Sequence, residues 1–398
     1  MPDHAPPDTE TTEPDAETTE PDTETTEPDT ETTEPAAETT EPTTETTEPD
    51  AEVRLALAHW APRFLQNGVD YNDFVRTTAR IRSWDRWLPE WAASADEQAE
   101  LARRADAEGH RQTAGHAWRR AAVNRHFGKF VWMLDLDLAA RATYRAVAEL
   151  CLAHERLDPT ATRLEVPIDG GTGYANLRRP PGRDLVPYVV LIPGLDSTKE
   201  EFFQLEQSFL DRGMATASLD GPGQGETGLA MPIRPDYEVA VGPLLDLLAE
   251  RSDLDHRRIG VVGVSLGGYY APRVAAFEPR VAAVAGISGP FCFGELWDEL
   301  PPMTRRTFVV KSGARDDADG RRLASALDLT GVCRRITVPA LYVTGRLDRL
   351  VPWRQTERQA AQTPHGIFIN HADGNHGVSN LSYLARPMIA DWMGDQLR

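Results

Sequence analysis

The sequence predicts an α/β fold, a mostly parallel sheet covered by helices on both faces and preceded by an all-helical module. Three observations predict it. From Val53 to about Asp158, apolar residues recur at helical spacing. After Pro159, short apolar runs alternate with helical segments. One of those runs, 259–262, leads into Gly263-Val-Ser-Leu-Gly267 and then into another helix.

Residues 1–52 hold 19 Asp and Glu and no Lys or Arg. Within them Glu-Thr-Thr-Glu-Pro recurs with a period of seven, beginning at Glu10, Glu17, Glu24, Glu31, Glu38 and Glu45. A coiled coil would need apolar positions, and the repeat has none; each copy also carries a helix-breaking proline. With no apolar burial to offset the entropy of ordering, this stretch is expected to be a disordered acidic tail.

The helical module is expected over 53–162. Val53-Arg-Leu-Ala-Leu-Ala-His-Trp60 opens it, and Asp70 or Asn72 caps a helix running through Phe74, Val75 and Ile81. Stretches 92–108, stopped by Gly109, then 111–132 and 135–156 complete about five helices. The abundant aromatics, Trp60, Trp84, Trp87, Trp91 and Trp118 among them, are expected mostly as helical core.

The α/β domain is expected over 163–398. Strands are read at 163–168, 174–177, 188–192, 215–219, 259–262, 281–287, 340–344 and 366–369. Helices are read at 200–212, 237–250, 266–277 and 381–396. Between Phe291 and Gly331 the alternation fails, which marks a cap inserted after a strand.

The formal net charge is −20, but outside residues 1–52 there are 43 acidic against 42 basic side chains. That balance argues against nucleic acid or an anionic membrane surface as partner. Cys151, Cys292 and Cys333 form no paired framework and no C-x-x-C, as in a reducing compartment. No cationic segment followed by an apolar run opens the chain, and no run reaches the roughly 20 apolar residues of a membrane span. The expectation is a cytoplasmic protein acting on a small molecule, with no membrane or nucleic-acid partner.

Gly263-Val-Ser-Leu-Gly267 fits G-x-S-x-G in the strand-to-helix setting the motif requires, which makes Ser265 a candidate nucleophile. Asp348, in Thr344-Gly-Arg-Leu-Asp348, and His376, in Asp373-Gly-Asn-His376, each follow a later expected strand. In that order His376 would take the serine proton, and Asp348 would fix the imidazole tautomer. Two backbone donors are needed for developing negative charge: Leu266 N–H, and Leu195 N–H or a neighbour's from the Pro193–Lys199 loop, where Gly194 permits close approach. His371 and Asp373 beside His376 fit no standard zinc spacing, so no metal is expected, and no cofactor. Gly223-Gln-Gly-Glu-Thr-Gly228 matches the dinucleotide fingerprint, but Pro232 and Pro235 follow where a helix should begin, so it reads as a structural turn.

Pro193-Gly-Leu-Asp-Ser-Thr-Lys-Glu200, Asp220-Gly-Pro-Gly-Gln-Gly-Glu226 and the run from Ser265 to Arg280 resemble one group within the α/β-hydrolases. That group holds the 2,6-dihydroxypseudooxynicotine hydrolases, fungal heptaketide chain-shortening hydrolases and fermentation-respiration-switch esterase-like proteins. The resemblance covers roughly 53–398. It implies the α/β-hydrolase fold, a homodimer, and a helical module and cap over the site. It also implies hydrolysis of a carbon–carbon bond beside a ketone, or of an ester or lactone; acyl transfer or cyclisation would use the same acyl-serine. The roles of Ser265, Asp348 and His376 carry over, and an additional acid near the site is implied, with Glu295 or Glu200 in that place. Glu200, Glu295 and Tyr269 are the candidate substrate-binding residues. A ligand receptor on the same fold usually lacks one of the three catalytic residues, and here all three are present.

Overall fold

The computed structural model describes residues 48–398; the acidic repeats ahead of them lie outside the described residues. Five helices come first: α1 (Ala51–Gln66), α2 (Tyr71–Arg80), α3 (Trp87–Ala107), α4 (Arg111–Lys129) and α5 (Leu136–Leu157). α1 begins inside the stretch expected to be tail, because Asp50 caps it. The Asp50 carboxylate accepts from Val53 N–H at 2.8 Å and from Trp84 N–H at 2.7 Å. Asp70 caps α2 and Asp135 caps α5 in the same way. α3 starts at Trp87 rather than 92, since Trp87, Leu88 and Trp91 bury themselves at helical spacing.

The module has two cores. In one, Trp60, Phe64, Trp87, Trp91, Phe127 and Phe130 pack together, with Phe64 stacked on Phe127 at 4.0 Å between ring centroids. In the other, Ala99, Ala102, Ala117, Ala121 and Ala153 let α3, α4 and α5 approach closely. Buried Arg125 ties these helices by donating to Glu149 and Asp96.

The rest of the chain alternates. Its elements are β1 (Thr162–Ile168), β2 (Gly171–Arg178), β3 (Val186–Ile192), α6 (Phe203–Leu210), β4 (Ala215–Asp220), α7 (Glu238–Ala249), β5 (Leu254–Val264) and α8 (Gly267–Phe277). There follow β6 (Ala283–Ile287), α9 (Pro302–Ser312), α10 (Asp317–Ala324), β7 (Ala340–Gly345), α11 (Trp353–Gln362), β8 (Gly366–His371) and α12 (Ser382–Gln396). One sheet runs β1-β2-β4-β3-β5-β6-β7-β8, antiparallel from β1 to β4 and parallel from β4 onward.

Both faces are covered, so β3 and β6 are apolar or aromatic throughout. In β3, Tyr188, Val190 and Ile192 pack towards α7 and α8, while Val189 and Leu191 pack towards α6 and α12. The helix expected at 200–212 divides into a 3-10 turn, Lys199–Glu201, and α6. The stretch expected as a cap holds α9 and α10. Among the described residues, no helix is long and apolar enough to cross a membrane.

Candidate active site

Ser265 stands where β5 turns into α8, with φ 59°, a left-handed backbone that side-chain-bearing residues seldom adopt. Glycine neighbours make that turn possible. A Cβ on Gly263 would lie 1.9 Å from Gly267 O, and one on Gly267 would lie 2.2 Å from Ile192 O. Ser265 N–H donates to Ile287 O at 2.8 Å, so the elbow is also pinned to β6.

Asp348 and His376 arrive on the loops after β7 and β8. The Ser265 hydroxyl donates to His376 Nε2 at 2.8 Å, and His376 Nδ1–H donates to Asp348 Oδ2 at 2.8 Å. The other carboxylate oxygen of Asp348 accepts from Leu350 and Val351 N–H, each at 2.9 Å, which fixes its plane. The Asp348 side chain is fully buried and that of His376 is 11% exposed. The two loops touch backbone to backbone: a Cβ on Gly345 would lie 2.2 Å from the Gly374 carbonyl.

Beyond His376 the chain turns through Gly377 and Val378, both at positive φ, and Gly377 N–H donates to Ser288 Oγ at 3.0 Å. Ser288, itself at φ 50°, was not singled out from sequence. A non-glycine residue held left-handed leaves no trace in composition or spacing.

The loop after β3 lies against the serine. A Cβ on Gly194 would come within 2.9 Å of Ser265 Cβ, so only glycine fits. Leu195 and Leu266 are buried, and neither amide has an acceptor among the described residues, so both N–H groups are available to negative charge. Two side chains brace this loop: Gln224 Nε2 donates to Pro193 O at 2.5 Å, and Lys311 Nζ from α9 donates to Leu195 O at 2.8 Å. The 223–228 turn is thus structural. No α-helix begins there; the turn ends in a short 3-10 turn, Thr227–Leu229, and α7 starts only at Glu238.

Behind the loop sits a cluster of buried charges. Lys199 Nζ lies 2.6 Å from Glu200, 3.0 Å from Asp220 and 2.7 Å from Glu226. Burial pushes the Asp220 carboxyl up, against the pull of Lys199, whereas for Glu200 Lys199 outweighs burial and holds the carboxyl low. Next to it, Glu201 accepts from Arg63 Nε and Nη2 at 2.6 and 2.7 Å, Asn67 at 2.6 Å, Ser197 at 2.6 Å and His126 at 3.0 Å. Burial alone would raise its pKa, but the Arg63 guanidinium prevails and holds Glu201 well below the usual carboxylate range. Arg63 and Asn67 belong to the α1 end and His126 to α4, so one carboxylate fastens the helical module to the loop that carries Leu195.

A cavity of about 60 Å³ opens on Ser265 and His376. Gly194, Phe202 and Leu205 line it, together with Arg63 and Asn67 at the end of α1 and Arg386 from α12. Arg386 donates to Gln66 O at 3.0 Å and to the Asn67 side chain, and burial pulls it down to about 10.

The other three sequence candidates lie elsewhere. Glu200 is committed to Lys199 in the buried cluster. The Glu295 carboxylate accepts from Gln355 and Arg358 and is 46% exposed. Tyr269, on α8, is buried, and its hydroxyl donates to the Pro235 carbonyl at 3.3 Å. None of the three lines the cavity at Ser265. Arg63, Glu201 and Arg386 were missed because their partners are remote in sequence.

A family model described as Esterase FrsA-like matches residues 67–327. The chain is also 34% identical over 343 residues to 2,6-dihydropseudooxynicotine hydrolase of Paenarthrobacter nicotinovorans, spanning 86% of this chain and 92% of that protein. The chain belongs to the FrsA-like esterase family. The crystal structure of the 2,6-dihydroxy-pseudo-oxynicotine hydrolase superposes with a TM-score of 0.78 at 34% identity, covering 85% of this chain and 95% of that one. The 20-hydroxy-prefusarin hydrolase of Gibberella moniliformis is 33% identical over 251 residues, 58% of each chain. The FrsA-like match takes in Ser265, the Lys199 cluster, α9 and α10, and ends before Asp348 and His376. The protein is accordingly an enzyme of the hydrolase class on an α/β-hydrolase fold.

Proposed function

We propose that the protein is a serine hydrolase working through an acyl-serine, and that it cleaves a carbon–carbon bond beside a ketone in a 1,3-dicarbonyl or acyl-aromatic, polyketide-like substrate. The observation that carries the reading is the unbroken hydrogen-bond chain from Ser265 through His376 to Asp348, beside two unused backbone amides. The carbon–carbon assignment is supported by similarity to hydrolases named for 2,6-dihydropseudooxynicotine and 20-hydroxy-prefusarin.

In this reading Ser265 Oγ attacks the ketone carbon while His376 Nε2 takes its proton, and Leu266 and Leu195 N–H hold the alkoxide. The alkoxide collapses, the carbon–carbon bond breaks, and its electron pair leaves on carbon as an enolate or stabilised aryl carbanion. His376 returns the proton to that carbon, and water then releases the acid from Ser265. Imidazolium is a weak acid, so the leaving carbanion must be delocalised.

An esterase or lactonase would use the same residues on an oxygen leaving group, and the FrsA-like esterase match favours that second reading. Products decide between them: an acid with a ketone or arene, or an acid with an alcohol. A fluorophosphonate should label Ser265 stoichiometrically, and Ser265→Ala should lose both labelling and turnover, by about 10⁶-fold in kcat. A folded protein that does not label would remove the serine mechanism altogether.

A further inference from the structure

We propose that Arg386, with Ser382 one turn before it on α12, binds a carboxylate at the end of a short acyl half of the substrate, so that hydrolysis releases a short dicarboxylic acid. The assignment rests on the acyl-serine reading above.

α12 turns one face to the catalytic cavity. Ser382, Ala385, Arg386 and Ile389, spaced as one side of a helix, line it together with Ser265 and His376. Ser382 is the first residue of α12, so the positive end of the helix dipole borders the same space. Phe202, Leu205 and Ile287 supply apolar wall. At roughly 10–15 Å³ for each water-sized group, a cavity of about 60 Å³ admits a chain of about four to six heavy atoms.

Two guanidinium groups line this cavity, and they are held differently. Each nitrogen of Arg63 donates to a carboxylate: Nη1 to Asp196, and Nε and Nη2 to Glu201. Arg386 donates only to neutral oxygens, the Gln66 carbonyl and the Asn67 amide oxygen, and pairs with no carboxylate among the described residues. Asp196 and Glu201, the acids of the cavity, are committed to Arg63, and Glu201 reaches Arg386 only through the Asn67 amide between them. Two of the five N–H groups of the Arg386 guanidinium are used, which leaves a fork free for a bidentate anion. Burial pulls the group down to about 10, so near neutral pH it stays charged. A desolvated charge is costly unless it is paired, and here the counter-charge missing from the protein is the ligand's.

The mechanism says which half brings it. One half of the substrate stays on Ser265 while the other leaves with a proton from His376. A substituted aromatic ring exceeds this space, so the half that enters is the acyl chain, and its far end meets Arg386.

The first test uses the wild-type enzyme. Succinamate and succinamide differ by one carboxylate against one amide, and each is measured for slowing fluorophosphonate labelling of Ser265. Succinamate should protect at a concentration lower by about tenfold or more. Arg386→Met, uncharged and of similar reach, should bring the two within about twofold, and Arg386→Lys should keep most of the difference. The second test sets mono-4-nitrophenyl glutarate against neutral 4-nitrophenyl valerate, with uncatalysed hydrolysis subtracted. Wild type should favour the anionic ester by about tenfold or more in kcat/KM, chiefly through KM, and R386M should lose that preference. Arg386→Gln, which keeps a donor towards the Gln66 carbonyl, is held to the same contrast if R386M fails to fold. No preference for the anion in wild type, or a preference that survives loss of the charge, would overturn the inference while leaving the acyl-serine reading standing. A folded wild type that does not label at Ser265 would overturn that reading, and the inference with it.

Discussion

Ser265, His376 and Asp348 are held by the backbone around them, whereas the seam between the helical module and the sheet is held by buried charged side chains. On the first side, glycines meet carbonyls within van der Waals distance, two amides clamp the Asp348 carboxylate, and Ser265 is locked in a left-handed turn. On the second, Glu201 gathers Arg63, Asn67, Ser197 and His126, and Arg386 reaches Gln66 and Asn67. The difference teaches that reactivity and substrate enclosure are separable. Damage to the backbone side should stop chemistry in a folded protein, and damage to the seam should loosen the enclosure first.

The largest effect expected after loss of the nucleophile is at Asp348. Asp348→Asn keeps the shape of the side chain but presents an amide towards His376 Nδ1, favouring the wrong tautomer. A fall of about 10⁴ in kcat is expected, with a melting temperature near wild type. Steady-state turnover and thermal melting on the same sample check both halves. A large drop in stability with modest loss of turnover would show that the loops after β7 and β8 depend on this carboxylate for more than orientation.

Glu201→Ala probes the other side. It leaves the buried Arg63 guanidinium without its bidentate partner, and about 3–5 kcal/mol of unfolding free energy should be lost in denaturant titration. Limited proteolysis should then cut within α1 to α5 before the sheet. The pH dependence has a fixed sign. Glu201 is held below its ordinary value of 4.5, so its contribution is present above that pH and is lost as the solution is acidified below it. Glu201→Gln should flatten that acid limb. An unchanged limb would move the acid sensitivity to another carboxylate.

The same contrast governs how much was legible in the sequence. Gly263, Ser265 and Gly267 could be read because a strained turn imposes residue types on adjacent positions, and the contacts at Gly263 and Gly267 show how strictly. The alternation of β3 to β8 with helices followed from apolar runs buried on both faces. By contrast, Arg63 and Glu201 meet across 138 positions, and nothing local in either segment announces the pair. The start of β5 at Leu254 was hidden behind Asp255, His256, Arg257 and Arg258. α11 buries only Thr356, Gln359 and Ala360, too little to draw an apolar stripe. Nearness in sequence misled as well: Tyr269 is four positions from Ser265, yet the turn of α8 carries it into the core.

The smallest expected effect lies where the two regions meet, at Lys311. Its ammonium comes from α9 but holds Leu195 O, on the loop that packs against Ser265 through Gly194. Burial, and then the charge of Lys129, pulls Lys311 down to about 8. Below that pH the hydrogen bond is charge-assisted; above it a neutral amine still donates, more weakly. Lys311→Met removes the donor at every pH while retaining the length of the side chain. One hydrogen bond of about 1–1.5 kcal/mol corresponds to a loss of roughly five- to tenfold in kcat. The gap between wild type and variant should narrow as pH rises through 8, because only the wild type has charge assistance to lose. A gap that stays constant across that range would place the effect in packing. A loss beyond about a thousandfold would mean that α9, and not the backbone around Gly194 and Gln224, sets the donor geometry.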